Sequence, residues 1–118
     1  MTTREQHLAQ ARANRAFYEE LLGRPEYHDW ALTVLFYAAL HYVDAFLYPK
    51  DPPNHWERNK LFAVTPLLRA LWPKYRRLQE KSQNARYECY DPPREELVKA
   101  RRECYDVIES AILPHVSP

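Results

Sequence analysis

The sequence predicts an all-α, up-and-down four-helix bundle, and three observations carry that reading. Glycine occurs once, at Gly23, whereas the tight turns of hairpin sheets need residues with positive φ. Apolar residues recur at helical spacing in long segments. The ten prolines fall mainly between or at the ends of those segments, where they stop one helix or open the next. A chain of 118 residues is expected to form one domain, residues 1–118, with enough interior to fold without a metal or a disulfide.

The first helix is predicted from about Thr3 to Leu22. Thr2 with Glu5 reads as a capping box, and Leu8, Ala11, Arg15, Tyr18 and Leu22 follow one helical stripe. Gly23 ends it, and Pro25 suits the first turn of the next helix. That second helix, about Glu26 to Tyr48, is apolar around most of its circumference, as expected of the central helix in a bundle. Its long apolar stretch is interrupted by His41 and Asp44, so it reads as a buried helix and not as a membrane span.

Pro49 and the run Lys50-Asp51-Pro52-Pro53 stop the second helix. Asn54 and Glu57 form another candidate capping box, opening a third helix at His55. Pro66, with Thr65 as a cap for the restart, breaks that segment, and Pro73 is a second candidate break. A five-helix variant of the bundle follows if these breaks are real. Asp91-Pro92-Pro93 then announces the last helix, Arg94 to Leu113, with Leu97, Ala100, Cys104, Val107, Ile108, Ala111 and Ile112 at helical spacing and Pro114 as its stop.

Formal net charge is +1, which excludes a polycation that coats nucleic acid. The distribution is uneven: between Arg69 and Arg86 six bases face the single acid Glu80. Such a stripe can hold phosphate or simply be a solvated helix face. The opening MTTREQHLAQ lacks an apolar signal region, so a cytoplasmic location is expected, with Cys89 and Cys104 as free buried thiols.

Three polar clusters can carry chemistry. Tyr37, His41, Asp44 and Tyr48 share one face of the second helix. A carboxylate three residues after a histidine can fix its tautomer for general acid/base work, or serve as a buried structural hydrogen bond. His55 and Arg58 share a face in the first turns of the third helix, either as an anion site or with Arg58 paired to an acid such as Asp44. Ser82, Arg86 and Tyr87 close the basic stripe, as substrate contacts or as a pin for a loop. Among His7, His28, His41, His55 and His115 there is no i, i+4 pair, so no metal site and no cofactor are expected.

Taken in order, FYAALHYVDAFL (Phe36 to Leu47), the proline loop with NHWERNKLF, Tyr75-x-x-Leu78 and SQNARY (Ser82 to Tyr87) resemble the HEPN superfamily of helical bundles. The likeness runs from about Ala9 to Leu113. It implies an up-and-down bundle, a homodimer, and binding of RNA or nucleotides. Members include metal-independent ribonucleases of toxin, defence or RNA-processing systems, and non-catalytic partners of nucleotidyltransferases or antitoxins.

On that resemblance His41, Asp44, His55 and Arg58 are the expected catalytic residues. A histidine acts as base on a ribose hydroxyl, Asp44 orients it, and Arg58 and Arg86 stabilise the transition state. Tyr37, Arg86 and Tyr87 are the expected substrate-binding residues. Active members carry an arginine and then a histidine, separated by four to six residues. Here Arg24 reaches His28 after only three intervening residues, and His55 precedes Arg58. The alternative expectation is a non-catalytic helical interaction module, antitoxin-like or a scaffold subunit.

Overall fold

The computed structural model describes residues 2–116, and every regular element among them is helical. The order is α1 (Arg4–Leu22), a 3-10 turn (Pro25–Tyr27), α2 (His28–Leu47), α3 (His55–Val64), α4 (Pro66–Tyr87), α5 (Arg94–Ala100), a π-helical segment (Arg101–Tyr105) and α6 (Asp106–Val116). The last three follow without a break and act as one rod. Four rods make the bundle, and α3 is a short extra helix laid against α4, as the break at Pro66 predicts.

Long-range contacts show the rods alternating in direction. Arg4 at the start of α1 donates to the Ala45 carbonyl near the end of α2, while His28 at the start of α2 meets the Leu22 carbonyl. Lys81 pairs with Glu96 and Arg77 with Glu103, which sets α4 antiparallel to the last rod. The Tyr18 hydroxyl donates to the Leu97 carbonyl and Arg15 pairs with Glu109, closing the ring between the last rod and α1.

Helix α2 sits at the centre, with Ala31, Leu35, Phe36, Ala38, Ala39, Val43 and Ala45 all without solvent exposure. The alanines let neighbouring helices approach closely, and Phe36 packs on Tyr75 of α4 at 5.3 Å between ring centroids. Each large side chain so buried contributes about 1.5–3 kcal/mol. The segment Pro25–Leu47 is long and apolar enough to cross a membrane, but 72% of its most apolar window is buried within the bundle.

Several boundaries differ from the sequence expectation, each for a local reason. The α1 cap is Thr3 with Gln6, not Thr2 with Glu5: the Thr3 hydroxyl accepts from the Gln6 N–H while the Gln6 carboxamide accepts from the Thr3 N–H. Asn54 does cap α3, accepting from the Glu57 N–H at 2.8 Å. Thr65 precedes Pro66 at the start of α4 but makes no side-chain capping bond.

Pro73 does not break α4. It lies on the exposed face, where water can satisfy the carbonyl that loses its partner. Pro114 likewise lies inside α6, which runs on to Val116. Cys104 is buried and free as expected, but Cys89 is exposed, at φ 52° in the loop after α4.

The π segment explains a further departure. One extra residue per turn lets the neighbours Cys104 and Tyr105 both face the core, and it leaves Val107 40% exposed. The Tyr105 hydroxyl then donates to Glu109 at 2.6 Å, and Glu109 also takes the Arg15 guanidinium at 2.8 Å.

Candidate functional site

The polar face expected on α2 divides as it leaves the helix. Asp44 turns to α3, where both of its oxygens accept from Arg58, at 2.7 Å from Nε and 3.0 Å from Nη2. The pair is buried, and Arg58 also donates to the Pro52 carbonyl at 3.4 Å. Such a two-pronged ion pair leaves neither group free for a substrate. Of the two uses open to Arg58 in the sequence, the structure shows the pairing with Asp44.

His41 turns the other way, to α1. Its Nδ1 lies 3.1 Å from Nδ1 of His7, so one ring donates and the other accepts. No hydrogen bond joins His41 to Asp44, and the expected aspartate-oriented histidine is therefore not formed: the two side chains, one helical turn apart, are claimed by different neighbours. Burial, chiefly, and the nearby His7 push the His41 pKa down, with Asp44 opposing. Tyr48, the last member of the stripe, lies beneath the Arg4 guanidinium at 5.6 Å.

Tyr37, His55 and Arg86 converge on the α2–α3–α4 junction. The His55 ring packs against Phe36 and Tyr37, at 5.9 and 6.3 Å between centroids. Its Nδ1 is buried without a hydrogen-bond partner, and the ring as a whole is half-buried. Burial lowers the His55 pKa first, then the charges of Arg58 and Arg86, against a smaller opposing effect of Asp44. The neutral imidazole is thus favoured, the form a general base needs.

Arg86 is the open counterpart of Arg58. Its guanidinium donates to the Ser82 hydroxyl, one turn back. It also lies 5.9 Å from the Tyr37 ring centroid and 5.3 Å from that of Tyr87. No carboxylate pairs with it among the described residues. Three other members of the basic stripe are occupied, Arg76 by Glu80, Arg77 by Glu103 and Lys81 by Glu96, while Arg69 and Lys74, like Arg86, have no carboxylate partner among the described residues. Beside Arg86 opens a cleft of about 270 Å³ lined by Asp29, Trp30, Thr33, Ala85, Arg86 and Tyr87. Two of its walls are aromatic and exposed, Trp30 by 55% and Tyr87 by 74%.

Sequence spacing missed two participants, Tyr75 and His7. Tyr75 of α4 puts a fully buried hydroxyl, without a partner, among the charges of Arg58 and Asp44, and burial pushes its pKa up. Trp30 joins the cleft from the start of α2. His7 meets His41 across 34 positions of sequence, a separation no local pattern can register. No family model, curated protein or solved structure matches this chain.

Proposed function

We propose that this chain is a HEPN-like domain that binds RNA or a nucleotide at the α2–α4 edge. One observation carries the reading: the unpaired Arg86 guanidinium, layered on Tyr87 and Tyr37, borders an open cleft walled by Trp30 and Tyr87. A base stacked on an exposed aromatic ring gains about 1–3 kcal/mol, and a guanidinium beside it holds phosphate. The sealed Asp44–Arg58 pair supports binding over the fully catalytic constellation, because two of the four residues expected to react are engaged with each other.

The test is fluorescence anisotropy of a labelled single-stranded RNA, with free nucleotides as competitors. Saturable binding that weakens with salt is expected, with a loss of about tenfold each in Arg86→Ala and Tyr87→Ala. RNA and nucleotides that both fail to bind the folded protein would remove the reading.

His55 keeps a catalytic form of the same proposal in play. Its neutral imidazole stands near Arg86, where it can take the proton of a ribose 2′-hydroxyl. The freed oxygen then attacks phosphorus to form a 2′,3′-cyclic phosphate, and the 5′-oxygen leaves with a proton from the imidazolium or from water. Cleavage of labelled RNA that His55→Ala abolishes, with binding retained, identifies that form.

The second reading, a helical interaction module, draws on α3, where Trp56 and Val64 stand 70% and 71% exposed. Light scattering of the chain alone and with co-purified partners, repeated on Trp56→Ala, separates it from RNA binding.

A further inference from the structure

The contact between His7 and His41 has a geometry that serves more than a hydrogen bond. Two imidazole nitrogens 3.1 Å apart, each about 2.0–2.1 Å from a common ion, subtend an angle of about 100° there. That lies between the octahedral and tetrahedral values. The rings meet nearly end-on, with centroids 5.3 Å apart and planes tilted by 35°. An ion between the rings takes the place of this hydrogen bond: each lone pair, now directed along the N···N line, must swing by about 40° onto a common point.

The surroundings suit such an ion. The pair faces an open groove of about 660 Å³, lined also by Thr2, Gln6, Ala9, Gln10 and Ala13. The two alanines leave room for water ligands, and the Gln10 carboxamide, whose Nε2 donates to Asn14, keeps its oxygen free at the rim, whereas the Gln6 oxygen is taken by the Thr3 N–H. Ligating imidazole must be neutral, and burial together with His7 favours the neutral form of His41. The nearby cations are already engaged: Arg4 donates to the Ala45 and Tyr48 carbonyls, and Arg58 is neutralised by Asp44.

We infer that His7 and His41 form a two-histidine site for a late first-row divalent cation, completed by water. Among the described residues no third His, Cys, Asp or Glu joins them, so the ion is held at the surface and exchanges readily. Imidazole suits Zn²⁺, Ni²⁺ and Cu²⁺, whereas Mg²⁺ and Ca²⁺ prefer oxygen. Because one ligand comes from α1 and the other from α2, the ion ties these two helices together. It acts independently of the RNA site, which lies between α2 and α4.

Isothermal titration of the full chain with Zn²⁺ and with Ni²⁺ tests the site. A Cys89→Ser background removes the one exposed thiol as a competing ligand. The expected result is one equivalent bound at about pH 7.5, an affinity at least tenfold lower at about pH 5.5, and the same loss in His7→Ala and in His41→Ala. Melting temperature should rise with Ni²⁺ in the parent and not in either variant.

If a variant misfolds, imidazole NMR signals of the parent give the same answer: Zn²⁺ shifts His7 and His41 and leaves His115 unmoved. Absence of binding, or binding and shifts indifferent to both histidines, would overturn the site and leave the pair as a hydrogen bond alone.

Discussion

Arg58 and Arg86 lie at the same three-helix junction, and the protein treats them in opposite ways. Arg58 is buried, clamped on both oxygens of Asp44 and on a loop carbonyl. Arg86 keeps a hydroxyl and two aromatic rings for company and an open cleft at its side. A buried charge must be matched by an opposite charge and hydrogen bonds before it is tolerated. A half-exposed guanidinium can remain unpaired because water still solvates it. The first arrangement orders α2, the proline loop and α3; the second is available to a ligand.

The largest effect should come from splitting the sealed pair. Asp44→Ala leaves Arg58 charged and unmatched in the interior, and a loss of about 3–5 kcal/mol is expected in urea unfolding. Replacing both at once, Asp44→Leu with Arg58→Met, should cost clearly less than Asp44→Ala alone. Equal costs would show that the carboxylate stabilises the fold by some route other than this arginine.

At the open site the balance reverses. Arg86→Ala should change unfolding free energy by no more than about 1 kcal/mol, chiefly through the lost Ser82 bond. If the proposed RNA site is the true one, affinity for RNA should nevertheless fall about tenfold. A stability loss matching that of Asp44→Ala would make Arg86 a structural residue and dissolve the contrast.

A smaller effect depends on pH. His41 and His55 both have pKa values below the ordinary 6.5 of imidazole. As pH falls through about 6.5, the unfolded chain takes up these protons before the folded one does. Stability is therefore fully present above that pH and is lost progressively toward the lower folded-state values. Unfolding curves at a series of pH values should show that acid-side loss, and His55→Gln should flatten part of it.

The smallest difference lies between the two threonines at helix starts. Thr3→Ala should cost about 1 kcal/mol in thermal or urea unfolding, since its hydroxyl caps α1. Thr65→Ala should cost almost nothing through capping, since its hydroxyl makes no such bond.

Local chemistry made much of the fold legible. Gly23, Asn54 and Pro66 each act within one turn of where they stand, and the apolar circumference of α2 announces its central place. Pro73 was ambiguous because its effect depends on which face of α4 meets water, which only packing decides. The α1 cap slipped by one residue because Thr2-Glu5 and Thr3-Gln6 offer nearly the same bonds.

For the site, spacing put His41 and Asp44 one turn apart on α2 but carried no information on which neighbour each would meet. Arg58 lay close enough in sequence to be considered as a partner of Asp44. His7 lay a whole helix away, and Tyr75 entered only through the motif Tyr75-x-x-Leu78, with nothing to tie it to Asp44 and Arg58.

The π-helical segment bears on how this chain can vary. An inserted residue turns everything on one side of it by about 100° relative to the other, so α5 and α6 present core faces set by two different phases. Leu97 and Ala100 belong to one phase, and Ile108, Ile112 and Val116 to the other. The five residues Arg101–Tyr105 therefore act as a clutch between two half-rods. Each half can accept substitutions that preserve its own stripe, but a change in length between them disengages one half from the core.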